Sequence, residues 1–249
     1  MAFIAPSAFL IVFGGTAGAM VASSGIKAFL HMPKLMIASM KYKGNMIDKV
    51  ASIRVIVGMA EKARREGLLA LEEEAQTVSD PFLRKGISLV VDGTDPELVK
   101  DILESDLDAM EARHSRQAGL YMTMGGFAPT LGIIGTVMGL VHVLENLDAP
   151  ATLGPAISGA FIATLYGVGS ANVDFLPTAN KLKAMSSEEV ELRSMTLEGI
   201  LSIQAGDNPR VVADKLLSFI PPGERAGEVD PAAAAELARD PAEAELAVA

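Results

Sequence analysis

The chain has 249 residues, of which 50% are hydrophobic, and a formal net charge of −10. Its mean hydropathy of +0.33 and its long charge-free runs exclude an ordinary soluble domain and indicate a membrane protein with sizeable polar parts. Cysteine is absent, which excludes disulfides and thiolate metal sites, and the 3 histidines are too widely separated to predict a metal site.

The first charge-free run covers residues 1–26 and predicts a transmembrane helix. Basic residues come only after this run, at Lys27, Lys34, Lys41 and Lys43. The run is therefore interpreted as a retained span and not as a signal peptide, with its C-terminal end in the cytoplasm and the N-terminus, as recorded, outside. Gly14 and Gly18 have the GxxxG spacing, which predicts that this helix packs on another helix.

Residues 27–118 form a polar insert, which the same lysines place in the cytoplasm. Its apolar residues recur at helical spacing, for example at Met46, Ile47, Val50, Ile53 and Val57. Asp80-Pro81 predicts the start of a helix that runs to about Val91.

A second insert helix is predicted to begin at Pro96, with either Thr94 or Asp95 as its capping residue. No stop signal follows between Pro96 and Leu120. This helix is therefore expected to continue without a break into the next span.

A basic cluster that contains Arg64 and Arg65 precedes an acidic cluster that contains Glu72 and Glu73. On a helix, such clusters usually form a solvated face with intrahelical ion pairs, and spacing alone favours that interpretation.

The second span covers residues 119–144 and the third covers 155–177, joined by an acidic loop at 145–154 that lacks Lys and Arg and belongs outside. Gly135 and Gly139 repeat the GxxxG spacing. Thr136 and Thr164 each lie near the middle of a span. Each threonine could bond only to its own helix, or both could face one polar pore and bind a passing cation.

Pro129 and Pro177 lie near the cytoplasmic ends of these two spans, as tolerated kinks or as a shared hinge. Asp174 is either an interfacial residue, close to Lys181, or an acid at the inner mouth of an ion path. No carboxylate lies near the centre of any span, so a cation-driven machine would take its ion-carrying acid from a partner helix.

Residues 178–220 predict a cytoplasmic helical region, with one helix to about residue 206 and another from Asn208-Pro209 to about Phe219. Residues 221–249 form an acidic tail that is predicted to be disordered and that argues against a nucleic-acid partner. The sequence thus predicts an all-α, polytopic membrane protein. No catalytic constellation or cofactor-binding motif indicates an enzyme.

Five stretches carry a resemblance to a known family: residues 6–36, 63–75 (ARREGLLALEEEA), 81–97, 128–144 (APTLGIIGTVMGLVHVL) and 157–183. They resemble the MotA/TolQ/ExbB family and, within it, the flagellar stator proteins MotA and PomA of the bacterial inner membrane. The resemblance implies a homopentamer around a MotB-like partner, which has one span and binds peptidoglycan. Proton or sodium flow would then drive the rotor protein FliG.

The resemblance also implies roles for individual residues. Arg64 and Glu72 match charged positions that meet the rotor, and Arg65 and Glu73 adjoin them. Pro129 and Pro177 match two prolines coupled to ion flow, and Thr164 matches a pore-lining threonine. Thr136 matches a threonine of sodium-type stators, where many proton-type stators have alanine, which favours sodium.

The sequence departs from the family pattern at two places. The family's stators have four spans, and the run at 1–26 resembles the second, so we expect a misplaced start codon or a fragment. Asp174 stands where the family usually has an apolar residue. A subunit of ExbB/TolQ type, which energises outer-membrane processes, matches the three-span layout and is the first alternative. A membrane scaffold that conducts nothing is the second.

Overall fold

The computed structural model of the chain describes residues 4–42, 49–148 and 150–221. Within these residues it contains helices and no strand, which confirms the predicted all-α class. Three of the described helices are long and apolar enough to cross a membrane. Met46, Ile47 and the acidic tail from residue 222 onward lie outside the described residues.

The helices are numbered here in chain order. They are α1 (Pro6–Ser24), α2 (Ile26–Lys41), α3 (Lys49–Glu66), α4 (Glu72–Thr77), α5 (Pro81–Val91), α6 (Pro96–Glu145), α7 (Pro150–Ser170), α8 (Leu176–Ala205) and α9 (Pro209–Leu217). A 3₁₀ turn at Leu68–Leu71 precedes α4, and π turns interrupt α1 at Leu10–Gly14 and connect α7 to α8 at Ala171–Phe175.

The described residues form two units, which we call the membrane unit (4–42 and 112–186) and the insert unit (49–111 and 187–221). In both units, short sequence patterns such as capping residues and prolines determine where helices begin and end. The predicted continuation of one helix from the insert into a span is confirmed, because α6 has 50 residues and no break.

Helix starts in the insert unit follow the predicted capping residues. The Asp80 side chain accepts a hydrogen bond from the Phe82 amide at 3.0 Å, and α5 then runs to Val91, as predicted. At the start of α6 the open choice is resolved, because Asp95 accepts from the Glu97 amide at 2.9 Å. Thr94 has a different role, since its carbonyl accepts from the side chain of Gln204.

Helix α9 begins at Pro209 behind its cap Asn208, as predicted, and ends at Leu217, two residues before the predicted Phe219. The helices of this unit enclose an apolar core. Ile53 and Val57 are buried in it and Val50 packs against it, as their spacing predicted. The largest fully buried side chains of the core include Ile56, Leu71, Ile87, Leu103, Ile200 and Leu216.

In the membrane unit, α1 ends at Ser24 because Gly25 adopts a φ of +83°, a conformation that favours glycine. The first span is therefore shorter than the predicted run of 1–26. Helix α2 follows at once and is held on α6 by Tyr121, whose buried hydroxyl donates to the Met32 carbonyl at 2.7 Å.

The loop between α6 and α7 is shorter than the predicted 145–154, because α7 begins at Pro150 and not at residue 155. Two prolines compete here as start signals, and a proline is well tolerated at the first helical position. Pro155 accordingly lies inside the helix.

The predicted boundary at 177 is not a helix break either. Pro177 has no amide hydrogen and cannot donate to the carbonyl one turn earlier. The preceding π turn accommodates this defect, since the Leu176 amide bonds to the Ala171 carbonyl, five residues back. The chain therefore passes from α7 into α8 as continuous helical structure.

Candidate functional site: hydroxyls, prolines and an exposed charged cluster

Thr136 on α6 and Thr164 on α7 are hydrogen-bonded to each other through their hydroxyls. The Thr136 hydroxyl also lies 3.0 Å from the Gly132 carbonyl of its own helix and 3.0 Å from the Ala160 carbonyl of α7. A hydroxyl has one proton, so Thr136 donates it to these carbonyls and accepts from Thr164. Thr136 therefore does not bond only to its own helix, since it also reaches α7, and a pore lined by both threonines stays a prediction.

Four oxygens thus converge between two spans, two from hydroxyls and two from backbone carbonyls. Neutral oxygens of this kind are the ligands that replace the hydration shell of alkali cations in channels. Both threonines are only half-buried within the single chain. The cluster can therefore still meet an ion or a neighbouring helix.

Small residues let α6 and α7 approach closely enough for this contact. A Cβ added at Gly139 would lie 2.7 Å from the Cβ of Ala160, and one at Gly135 would lie 2.8 Å from the Cβ of Ala163. The prediction from the GxxxG spacing at these two glycines is confirmed, because larger side chains would push the helices apart.

The prediction that the first span packs on another helix is confirmed, but its contacts within the described residues do not use Gly14 and Gly18. Cβ atoms at Gly14 and Gly18 would meet no described atom within 4 Å, whereas one at Gly15 would lie 3.1 Å from Leu131. Helix α1 packs on α7 instead through Ala8 and Val12, which are buried against Ile162 and Ala163. The packing face is thus set by which residues meet a partner helix, and the GxxxG spacing does not specify it.

The regions of Pro129 and Pro177 meet at Gly125 and Leu176. Pro129 removes the amide that would bond to the Gly125 carbonyl. A Cβ added at Gly125 would lie 2.5 Å from Cδ2 of Leu176, the residue before Pro177. The turn weakened by one proline therefore packs directly on the residue next to the other.

Asp174 is half-buried inside the π turn. It lies close enough to Tyr121 for an electrostatic interaction, and Tyr121 is hydrogen-bonded to Met32 in α2, beyond the end of the first span. Asp174 is thus located near the lysine-rich ends of the spans and away from the threonine pair.

The charged cluster of the insert does not lie on one helix. Gly67, with a φ of +87°, ends α3 after Arg64 and Arg65, and Glu72 and Glu73 belong to the first turn of α4. The expectation of purely intrahelical pairing was therefore wrong, because a glycine at positive φ ends a helix.

One ion pair joins the two sides of the cluster: Lys62 Nζ lies 2.8 Å from Glu74 Oε1, twelve residues away. This hydrogen bond raises the pKa of the Lys62 ammonium above its usual value. Arg65 pairs within its own helix, with Glu61 and Glu66.

Arg64, Glu72 and Glu73 are exposed, and none of them forms an ion pair with any described residue. Unpaired charges of both signs next to a turn can bind a partner without first breaking an internal pair.

Two further polar residues of the membrane unit were not singled out from the sequence. Thr16 is completely buried in α1 and donates to the Val12 carbonyl at 2.6 Å. The other is Tyr121. A hydroxyl inside a charge-free run is the signal that marks both. Within 4–42, 49–148 and 150–221, no group of three His, Asp or Glu side chains is arranged to hold a metal ion.

Comparisons with known proteins give consistent results. Residues 74–195 match the model of the MotA/TolQ/ExbB proton channel family. The chain is 40% identical over 219 residues to motility protein A of Borreliella burgdorferi, covering 88% of this chain and 84% of the relative. It is 36% identical over 228 residues to chemotaxis protein PomA of Vibrio alginolyticus, covering 92% and 88%.

The fold is similar to a chain in the structure of the flagellar MotAB stator complex from Bacillus subtilis. The TM-score is 0.83 at 40% sequence identity, and the match covers 90% of this chain and 88% of that one. The sequence matches and the structural match cover nearly the same share of this chain. The chain therefore belongs to the MotA/TolQ/ExbB proton channel family.

Proposed function

We propose that this chain is the ion-channel subunit of a bacterial flagellar stator, which couples the flow of protons or sodium ions to rotation of the flagellum. The hydroxyl pair of Thr136 and Thr164 is the observation that carries the proposal. A scaffold that only assembles in the membrane does not require oxygens from two spans to converge in this way.

The ion-carrying acid comes from a partner. No Asp, Glu, Lys or Arg lies between Arg116 and Glu145 or between Asp148 and Asp174, so this chain has no charged group near the middle of its last two spans. We propose a MotB-like partner with one span and a peptidoglycan-binding domain, in a complex with a homopentamer of this chain. The similar Bacillus subtilis structure is a MotAB complex, which supports this assignment.

The protein is a multi-pass protein of the bacterial inner membrane. Lys27, Lys34 and Lys41 after the first span, and Lys181 and Lys183 after the third, support a cytoplasmic location of the insert and the C-terminal region. In this topology the first residues of α1 and the acidic loop after Glu145 lie on the outer side.

The rotor contact is made by the charged cluster at Arg64, Arg65, Glu72 and Glu73. The exposure of these residues, and the absence of an internal ion pair at Arg64, Glu72 and Glu73 in the described residues, support binding to a charged surface of FliG. Pro129 and Pro177 would couple ion passage to movement of the helices, since their turns are in contact.

The test is complementation of a bacterium that lacks its own stator, with this chain and its partner expressed together. Wild-type protein should restore swimming, and Thr164→Ala should abolish most of it while the protein remains in the membrane. Thr130→Ala is the matched control, because Thr130 is exposed on α6 and bonds only to the Phe127 carbonyl. Full swimming of Thr164→Ala would contradict the channel role.

A parallel strain that lacks its ExbB- or TolQ-type protein distinguishes the alternative within the family. Rescue of that strain, without rescue of swimming, would assign the chain to outer-membrane energisation. The two relatives described above are a motility protein and a chemotaxis protein, which favours the stator.

A further inference from the structure

A cavity of about 590 Å³ lies in the membrane unit between α2 and α6. Its volume is within the range of about 300–1,000 Å³ that is usual for small-molecule sites. Its lining includes Lys27 and His31 from α2 and Arg116 and Gln117 from α6. None of these residues takes part in the threonine pair, the proline contact or the charged cluster described above.

The lining is cationic. Lys27 and Arg116 are both exposed, and no acidic residue lines the cavity. Among the described residues, neither side chain forms an ion pair, and Arg116 Nε donates to the Ala112 carbonyl of its own helix, at 3.2 Å. Lys27 and Arg116 belong to the two helices that form the cavity, and a bound anion would be attracted to both.

The same cavity also has an apolar wall. Leu35 and Leu120 line it beside the polar groups, and both pack against the buried cluster of Met32, Tyr121 and Met124. The hydrogen bond from Tyr121 to Met32 joins α2 to α6 directly behind this wall. The two helices that form the cavity are thus joined by a buried hydrogen bond.

The position of the cavity along the spans is also informative. Lys27 follows the end of α1 at Ser24, and Arg116 is the last charged residue before the charge-free run of α6. Both cations therefore lie at headgroup depth, at the ends of two spans. In the topology proposed above, this is the cytoplasmic leaflet.

We propose that this cavity binds an anionic glycerophospholipid of the inner leaflet. Lys27 and Arg116 hold the phosphate, His31 and Gln117 donate to the headgroup oxygens, and Leu35 and Leu120 contact the start of an acyl chain. Basic pockets between transmembrane helices at the cytoplasmic face are suited to anionic headgroups. The identity of the leaflet rests on the proposed function, whereas the binding chemistry does not.

The test is native mass spectrometry of the purified full-length protein with its partner, exposed to mixed micelles of phosphatidylglycerol or phosphatidylcholine. The wild type should retain phosphatidylglycerol in preference to phosphatidylcholine. In Lys27→Gln/Arg116→Gln the apparent affinity for phosphatidylglycerol should fall roughly tenfold or more, from the loss of two charges near a headgroup.

Lys41→Gln/Lys183→Gln is the matched control, since it removes two exposed charges on the same side of the membrane that do not line the cavity. It should bind phosphatidylglycerol like the wild type. Lys27→Arg/Arg116→Lys keeps both charges and should retain selective binding, which separates loss of the site from poor folding.

Three results would overturn the proposal. In the first, the wild type retains both lipids equally. In the second, the affinity for phosphatidylglycerol falls equally in the double variant and in its control. In the third, inorganic phosphate or glycerol phosphate binds as strongly as the lipid. Lipid binding is measured on purified protein, so it can succeed where complementation of swimming fails, or fail where swimming is restored.

Discussion

Leu176 packs onto Gly125 so closely that a methyl group at residue 125 would lie 2.5 Å from its Cδ2 atom. Gly125 lies one turn before Pro129 on α6, and Leu176 directly precedes Pro177 at the start of α8. The two proline regions can therefore pack this closely only while residue 125 remains a glycine.

Gly125→Ala should accordingly reduce swimming strongly and destabilise this helix contact, by about 1–3 kcal/mol if the added methyl group is not relieved. Gly126→Ala is the matched control, because a Cβ there meets nothing within 4 Å. Swimming speed is measured together with the amount of protein in the membrane. Equal speeds in the two variants would show that the close approach has no functional role.

Pro129→Leu should abolish swimming without loss of the protein from the membrane. Leucine restores an amide that can bond to the Gly125 carbonyl, and the turn that packs on Leu176 then becomes stiffer. Pro155→Leu is a control inside α7, where the proline is exposed. Normal motility of the Pro129 variant would remove the coupling role from this residue.

Glu72→Lys should impair motility, and a compensating charge reversal on the rotor should restore part of it, because Glu72 has no internal partner to lose among the described residues. Glu97→Lys reverses an exposed acid in the first turn of another helix and so controls for the helix dipole. A wild-type swimming speed in the Glu72 variant would exclude the contact.

External sodium should set the swimming speed at constant pH if Thr136 contributes to sodium selection. Thr136→Ala removes a hydroxyl that bonds to both α6 and α7, and should weaken the dependence of speed on sodium more than Thr130→Ala does. A wild-type motor that is indifferent to sodium would be a proton motor.

The Lys62–Glu74 pair should make stability depend on pH at the alkaline end. Its hydrogen bond raises the folded-state pKa of Lys62 above 10.5, so the unfolded chain loses its proton first as the pH increases. The stabilisation is complete at pH values below the pKa of Lys62 in the unfolded chain. It is lost as the pH rises through the raised pKa of the folded protein.

Thermal unfolding of the wild type and of Glu74→Gln, compared from neutral to strongly alkaline pH, measures this effect. The wild type should be the more stable protein at neutral pH, and the difference should close only in the alkaline range. A difference that stays constant across that range would show that the pair contributes through packing and not through charge.

Much of the fold could be predicted because it follows from local chemistry. At Asp80-Pro81 and Asn208-Pro209, the capping side chain and the proline ring are sufficient to start a helix. The charge-free runs indicate where the spans lie. The sequence left open whether Thr136 and Thr164 bond only to their own helices or face one pore. It did not predict the hydrogen bond between them, since spacing within one helix does not fix which face meets another helix.

The remaining features depend on packing between distant residues. Gly14 and Gly18 have the same spacing as Gly135 and Gly139, but only the second pair has a helix against it. The pairing of Lys62 with Glu74 depends on a turn at Gly67, and the cationic cavity depends on Lys27 and Arg116, which are far apart in sequence. No local pattern encodes these contacts.

The π turn at Ala171–Phe175 lets the helix contain one extra residue without changing the direction in which the following side chains point. Each residue added to an α-helix turns everything after it by about 100°, whereas a π turn holds one extra residue while the flanking helix keeps its facing. A one-residue deletion here would leave Lys181 and Lys183 pointing as before, but it would also remove the wide turn that accommodates Pro177. A deletion a few residues later would rotate the whole C-terminal helix. This turn is therefore a place in the last span where one residue can be lost without rotating the helix that follows.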